Sequence, residues 1–277
     1  MLKQRIATAA VLLALLLPAL FLEREWPFAV LTLVAMSAAG WEWARLNQAG
    51  NFAVPLGLLL GVACLLALMA GWASSAPRLV WWLAMLAWVL GGAWALRGGV
   101  AGWPRVPRAL RWLIGLAALW VTWLAMVHAK FVGLNFILSI FCVVWAADVF
   151  AYFGGRAFGK RKLAPAISPG KSWEGVWSGA AGALVVAAIW LVVDARLATG
   201  SASLYTRVAA QLGFAGAALV VVFLVAMSIV GDLFESLVKR SAGAKDSSAL
   251  LPGHGGVLDR VDALLPVFPI ALALALR

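Results

Sequence analysis

Two cysteines in 277 residues, Cys64 and Cys142, and two histidines, His128 and His254, set the first limits. The cysteines stand in separate apolar stretches with no second thiol nearby, so they read as small buried hydrophobes, not as a disulfide or a metal site. With neither a thiol pair nor a histidine pair to hold zinc, hydrolytic zinc chemistry is disfavoured. Charge is scarce too, at 12% of the chain, with eleven acidic residues against twenty-two basic ones. A true P-loop is also missing. Gly170-Lys171-Ser172 imitates its end, but Pro165 stands where the leading glycine belongs, and no strand is expected before it.

What the chain has is apolar mass: 65% hydrophobic residues and a mean hydropathy of +0.99, far outside the range of soluble domains. The apolar residues come in continuous blocks close to the ~20 residues that cross a ~30 Å hydrocarbon core as helix. Alternation of the kind a barrel needs is absent, so the predicted fold class is all-α, a polytopic integral membrane protein. Nine spans are predicted, at 6–22, 27–46, 52–72, 79–96, 110–127, 131–153, 174–193, 212–235 and 261–276. The first has the basic start of a signal peptide, but no small-x-small cleavage site precedes Glu23-Arg24-Glu25, so it is read as a span.

Counting Lys and Arg by loop orients the chain. With the N-terminus cytoplasmic, sixteen fall inside (Lys3, Arg5, Arg45, Arg97, Arg105, Arg108, Arg111, Arg156, Lys160, Arg161, Lys162, Lys171, Lys239, Arg240, Lys245 and Arg260) and six outside (Arg24, Arg78, Lys130, Arg196, Arg207 and Arg277). An odd number of spans then puts the C-terminus outside. The net charge of +11 reads as this inside bias plus attraction to anionic lipid, with no case for nucleic acid. Several of the sixteen tryptophans (Trp26, Trp72, Trp103, Trp173) fall near span ends, where an indole anchors or packs.

The acidic residues reverse the expected bias. Glu23, Glu25 and Asp194 fall outside, whereas Glu42, Asp148, Glu174, Asp232, Glu235, Asp246, Asp259 and Asp262 fall at or near cytoplasmic span ends. Seven of those eight lie between residues 148 and 262, which divides the chain into an N-terminal bundle, 1–130, of five spans without a motif, and a C-terminal catalytic region, 131–277. Ionisable groups in spans are costly, so they pair, line wet cavities or do chemistry. Asp232, Glu235, Ser236, Lys239 and Arg240 recur at i, i+3, i+4, i+7 and i+8, one polar stripe on a helix. An internal ion-pair ladder through Lys239 would explain that stripe alone.

Two Gly-rich basic loops share the same membrane face. One is residues 154–175, "GGRAFGKRKLAPAISPGKSWEG", whose Lys160, Arg161 and Lys162 are equally explained as an inside-positive loop. The other is "SAGAKDSSALLPGHGGVLDRVD", where Gly253, Gly255 and Gly256 let backbone approach a ligand and Asp259 and Asp262 sit i, i+3 as the last span begins. Capping accounts for one of those aspartates, not for both with Arg260 and His254. Carboxylates with oxygen-only neighbours favour Mg²⁺ or a similar hard cation that also holds phosphate oxygens, while Lys and Arg take the remaining phosphate charge. The expected chemistry is phosphoryl or nucleotidyl transfer at the cytoplasmic membrane surface.

Residues 236–262, "SLVKRSAGAKDSSALLPGHGGVLDRVD", resemble the signature of the phosphatidate cytidylyltransferase (CDP-diacylglycerol synthase) family: Ser-x-x-Lys-Arg, Lys-Asp, Pro-Gly-His-Gly-Gly and Asp-Arg-x-Asp. Residues 148–175 and "GDLFES", 231–236, resemble its other landmarks, so the motifs cover roughly 148–262. The resemblance implies a multi-pass protein of the cytoplasmic (inner) membrane, its site facing the cytoplasm, that makes CDP-diacylglycerol and pyrophosphate from CTP and phosphatidic acid with Mg²⁺, without a covalent enzyme intermediate. It also suggests a homodimer. By this analogy Asp232 and Asp259 are metal ligands, and Glu235 and Asp262 are their supports or additional ligands. Lys171, Lys239, Arg240, Lys245 and Arg260 are phosphate contacts, with Ser168 and Ser236 as donors and Gly255 offering close backbone approach. Asp246 joins the catalytic set, His254 donates either to departing pyrophosphate or to a structural partner, and Asp148 orients a lysine or binds a second cation.

Three rivals are weaker. The CDP-alcohol phosphatidyltransferases carry Asp-Gly-x-x-Ala-Arg, whereas Asp232 is followed by Leu-Phe-Glu. A CTP-dependent lipid kinase would move only the γ-phosphate. A transporter relaying cations through Asp148 and Asp232 gives no reason for the His-Gly-Gly loop.

Overall fold

The computed structural model describes residues 2–197 and 200–276, with side chains from residue 4 onward; Lys3 and Arg277, both counted in the charge balance, lie outside those described side chains. Apolar runs that must satisfy their own backbone in lipid form helices. In the N-terminal half these are α1 (Leu2–Phe21), α2 (Trp26–Leu46), α3 (Ala53–Met69), the single turn α4 (Trp72–Ser75), α5 (Arg78–Gly102) and α6 (Arg108–Val132). The C-terminal half has α7 (Leu134–Phe158), α8 (Trp173–Arg196), α9 (Leu204–Ser241), the turn α10 (Leu258–Val261) and α11 (Leu264–Ala275). Between α7 and α8 stands a small antiparallel hairpin, β1 (Lys162–Ala164) and β2 (Ser168–Ser172), pairing Lys162 with Ser172 and Ala164 with Ser168. The sequence predicts a plain loop there, and no strand around Lys171; the hairpin corrects that.

Among the described residues seven helices, α1, α3, α5, α6, α7, α8 and α9, are long and apolar enough to cross a membrane. The protein is a polytopic all-helical membrane protein. Two of the nine predicted spans differ. The C-terminal half of α2, residues 37–46, is small, aromatic and charged, and Glu42 within it is wholly buried. The predicted span 261–276 resolves into a turn followed by the 12-residue α11, which at ~1.5 Å per residue reaches about 18 Å, short of a ~30 Å core. Nearly every α11 side chain is buried against α5, α6, α7 and α9, so it is a core helix. Buried and lipid-facing helices share the same greasy composition, which is why the sequence did not separate them.

The outer surface carries the apolar residues a bilayer would cover, with Met69 76% and Phe214 77% exposed. At Gly213 the backbone takes φ +72°, ψ 175°, a conformation that favours glycine, and divides α9 into a short first part and the long run that bears the polar stripe. Tryptophan does much of the interhelical joining. Trp43 Nε1 donates to Arg111 O (2.8 Å) and Trp103 Nε1 to Asn47 Oδ1 (2.9 Å). Phe234 of α9 lies among Trp43, Trp88 and Trp103 with centroids 5.2–5.8 Å away. Trp103, expected near an interface, is a buried member of this cluster.

Candidate active site

Asp232 lies two residues before Phe234, so the aromatic pin that fixes α9 also fixes where its carboxylate points. It points into a cavity of about 530 Å³ between α7, α8, α9 and β2, lined by Asp148, Tyr152, Arg156, Lys171 and Asp232 together with Val176, Val225 and Ile229. Small residues let the walls approach: a Cβ on Gly179 would stand 2.7 Å from the carbonyl of Ala147. The hairpin delivers Lys171 just before Ser172, which caps α8 by accepting from Gly175 N (3.2 Å). Lys171 Nζ pairs with Asp232 Oδ2 at 2.7 Å, and Ser236 Oγ donates to Oδ1 at 3.3 Å. Glu174 steadies the turn by accepting from the amides of Lys160 (3.0 Å) and Arg161 (3.1 Å).

A second cluster adjoins this one. Lys239 Nζ stands 2.6 Å from Glu235 Oε2 and 2.5 Å from Asp259 Oδ1. The i, i+4 ladder along α9 therefore forms, but it continues into the Asp-Arg-x-Asp segment. Asp259 Oδ2 accepts from Ser247 N (2.9 Å), Ser247 Oγ (2.7 Å) and Gly256 N (2.8 Å). Burial pushes the Asp259 carboxyl up, but Lys239, Gly256 and Ser247 outweigh it and hold the group at about 2. Glu235 is 1% exposed, and its Oε1 has no hydrogen-bond partner. Asp262 feels the charges of Asp232, Lys239 and Lys171, linking the clusters, while its Oδ1 accepts from Ala263 N (2.7 Å).

The sequence singles out no role for Glu42, yet it is the hinge of this arrangement. From α2 it accepts from Ser247 Oγ (3.1 Å), Ser248 Oγ (2.5 Å), Val257 N (3.0 Å) and Leu258 N (2.7 Å), closing both ends of the Gly-rich segment on one buried carboxylate. A Cβ on Gly256 would collide with Glu42 Oε1 and Ser247 Oγ, so glycine is required there by space. Arg45 Nη2 donates to Ser247 O (3.1 Å), and Thr8 Oγ1 of α1 to Pro252 O (2.9 Å). One signal was available: Glu42 is the only acidic residue between 26 and 147.

Ten of the fifteen predicted site residues fall into three groups. Asp148, Lys171, Asp232 and Ser236 gather at the cavity, and Glu235, Lys239, Asp259 and Asp262 at the adjoining cluster. His254 and Arg260 pair with each other, Arg260 Nη2 donating to His254 O at 2.7 Å, and the buried His254 Nδ1 has no partner. Gly255 (φ +80°) lies against Asp259, where a Cβ would stand 2.7 Å from Oδ2. Ser168 is half-buried at the start of β2. Lys245 and Asp246 are exposed on the loop, and Arg240 is exposed and donates to Ala244 O (3.2 Å), outside both clusters.

The sequence from residue 3 to residue 276 matches a family described as the cytidylyltransferase family. The chain belongs to the cytidylyltransferase family. It is 42% identical to the phosphatidate cytidylyltransferase of Pseudomonas aeruginosa over 99% of this chain and 97% of that protein. The Haemophilus influenzae protein of the same name is 40% identical over 97% and 96%. The Brucella melitensis one is 47% identical over 48% of this chain and 44% of its own length.

A cytidylyltransferase must manage triphosphate charge, and this donor set is suited to that. Its acceptors are all carboxylate oxygens, the choice of a hard divalent cation. Among the described residues no three acidic, histidine or cysteine side chains are grouped closely enough to hold an ion alone. One or two carboxylates completed by substrate phosphates and water is the usual arrangement for Mg²⁺. Meanwhile lysine ammoniums occupy the positions where positive charge is wanted, Lys171 on Asp232 and Lys239 between Glu235 and Asp259.

Proposed function

We infer that this chain transfers the cytidylyl group of CTP to phosphatidate, giving CDP-diacylglycerol and pyrophosphate. Full-length relatives of that name and a cavity lined both by apolar residues and by Asp148 and the Lys171-paired Asp232 support the reading together. The lipid tails belong against Val176, Val225 and Ile229, with the phosphate at the rim beside Lys171 and Arg156. The Gly-rich segment held by Glu42, with Lys239, His254 and Arg260, faces the triphosphate.

In the reaction a phosphate oxygen of the lipid forms a bond to the α-phosphorus of CTP, the α–β bridging P–O bond breaks, and pyrophosphate leaves with the electron pair. Mg²⁺, held by Asp232 and Asp259 with Glu235 and Asp262 in support, would neutralise phosphate charge there. Lys171 and Lys239 serve in both states: without substrate they neutralise the carboxylates, and with it their ammoniums turn to phosphate oxygens. Asp148, which lines the same cavity as Lys171, orients that lysine or takes a second cation. The N-terminus and the site are read as cytoplasmic, in the cell's inner membrane, from sixteen basic residues against six; a homodimer rests on family resemblance.

The test is pyrophosphate release by purified protein with CTP, phosphatidic acid and Mg²⁺, against dCTP and other nucleotides. Cytosine-labelled CTP should place its label in the lipid. Label appearing only from the γ-phosphate would make the protein a kinase instead.

A further inference from the structure

Among the described side chains of α1 only Ala19 and Leu20, near its end, are buried, and from Ala10 to Leu15 every one is exposed. The helix meets the rest of the protein again at its beginning. There Thr8 and Ala9 are half-buried, and Thr8 Oγ1 donates to Pro252 O at 2.9 Å. The stem of Arg5 lies so close to Gly253 that a Cβ on that glycine would stand 2.8 Å from Arg5 Cγ. A helix that is otherwise so loosely embedded thus rests its first turns on the Gly-rich segment that Glu42 clamps from the other side.

The contact falls on a tight turn. His254 N donates to Leu251 O (2.8 Å) and Leu251 N to Gly255 O (2.8 Å), closing Leu251-Pro252-Gly253-His254 into a β-turn. Proline at its second position and Gly253, at φ +76°, in its third are the pattern of type II. Types I and II differ by rotation of the single peptide between those two positions, and glycine in the third place adopts either. Pro252 O belongs to that peptide, and Thr8 holds it. Because the peptide is trans and planar, an oxygen held toward α1 turns the Gly253 N–H the opposite way. The following residue, His254, carries the buried Nδ1 that has no partner. We propose that Thr8 is a positioning residue for the nucleotide, its hydroxyl locking the turn in the type II form that presents the Gly253 amide and His254 to the triphosphate. Backbone N–H groups in such turns suit phosphate oxygens, and the role rests on the reading that the chain uses CTP.

Steady-state pyrophosphate release by the full-length protein in detergent, with CTP and phosphatidic acid varied separately at fixed Mg²⁺, is the measurement. Thr8→Val keeps the shape and loses the donor, so KM for CTP should rise about five- to tenfold while KM for phosphatidic acid holds. Thr8→Ser keeps the hydroxyl and should stay within about twofold of wild type. Gly253→Ala penalises the positive φ, favours the type I form and should raise KM for CTP at least as far. The Thr8→Val/Gly253→Ala double variant should be no worse than Gly253→Ala alone, since a rotated peptide leaves Thr8 no oxygen to hold. An unmoved KM for CTP in Thr8→Val overturns the proposal, as does an equal rise in both KM values or a change confined to kcat. So does a double variant whose defect is the product of the two single ones, because the hydroxyl and the turn would then act independently. A wild type that releases no pyrophosphate from CTP would overturn the cytidylyl-transfer reading itself, and the role of Thr8 with it, whereas an active wild type with indifferent variants overturns only the latter.

Discussion

Asp194 and Asp232 each stand near the end of a long apolar helix, at opposite ends of the bundle, and the company they keep differs in kind. Asp194 accepts from Asn135 Nδ2 (2.9 Å), Ser203 N (3.1 Å) and Thr206 Oγ1 (2.6 Å), neutral donors that satisfy it within the protein. Asp232 has one lysine and one weak hydroxyl contact at the edge of a cavity. Neutral donors make a carboxylate a fastener between chain segments. A mobile ammonium leaves it exchangeable, able to give up one cation for another, and chemistry needs that exchange.

The largest effect that would sharpen this contrast is Asp232→Asn. It keeps shape and removes the charge, so pyrophosphate release should fall about 10³-fold with the helical circular dichroism intact. Asp259→Asn should fall comparably. A fully active Asp259→Asn protein would remove that residue from the site and leave it only its role in fixing Ser247 and Gly256.

Glu42→Gln comes next, and it separates holding a site from being in it. The side chain keeps its volume, but an amide nitrogen replaces one of two acceptor oxygens, each of which now meets two donors. Turnover should drop roughly 10–100-fold, the size seen when groups behind a site are altered, with a lower melting temperature. Unchanged turnover with unchanged melting would mean the Gly-rich segment needs no clamp. At the far end, Asp194→Ala should do the reverse: a loss of roughly 1–3 kcal/mol in stability from stranded donors, with turnover near wild type below the melting transition. Inactivity in a folded Asp194→Ala protein would erase the distinction between the two ends.

Much of this was legible in the sequence because membrane helices are written in long blocks. Most helix ends lie within about five residues of the predicted spans, but α5 runs on to Gly102 and α9 extends from Leu204 to Ser241, with Gly213 breaking α9 close to the predicted start at 212. The clustering of carboxylates toward one end was legible for a similar reason, since charge in an apolar chain is sparse. Three things were hidden. The half-length of α11 was, because a buried helix and a lipid-facing one need the same residues. The hairpin was, because strands of three and five residues carry too little pattern. Glu42 was, because its partners lie 205 to 216 residues away and only folding brings them together.

Arg161→Ala is the smallest expected change, and it asks whether basic residues near the site act by charge or by placement. The Arg161 side chain is 73% exposed and its Nε reaches Glu174 at 3.4 Å, a weak contact screened by solvent. Its backbone amide does more, donating to the same carboxylate at 3.1 Å, and that bond survives the substitution. The turn that presents Lys171 should therefore keep its shape, and turnover should remain within about twofold of wild type, because the attraction lost is screened by water. A complete loss would mean the guanidinium itself meets substrate. The basic residues near the site would then have to be divided afresh between those that only add positive charge to the loop and those that handle phosphate.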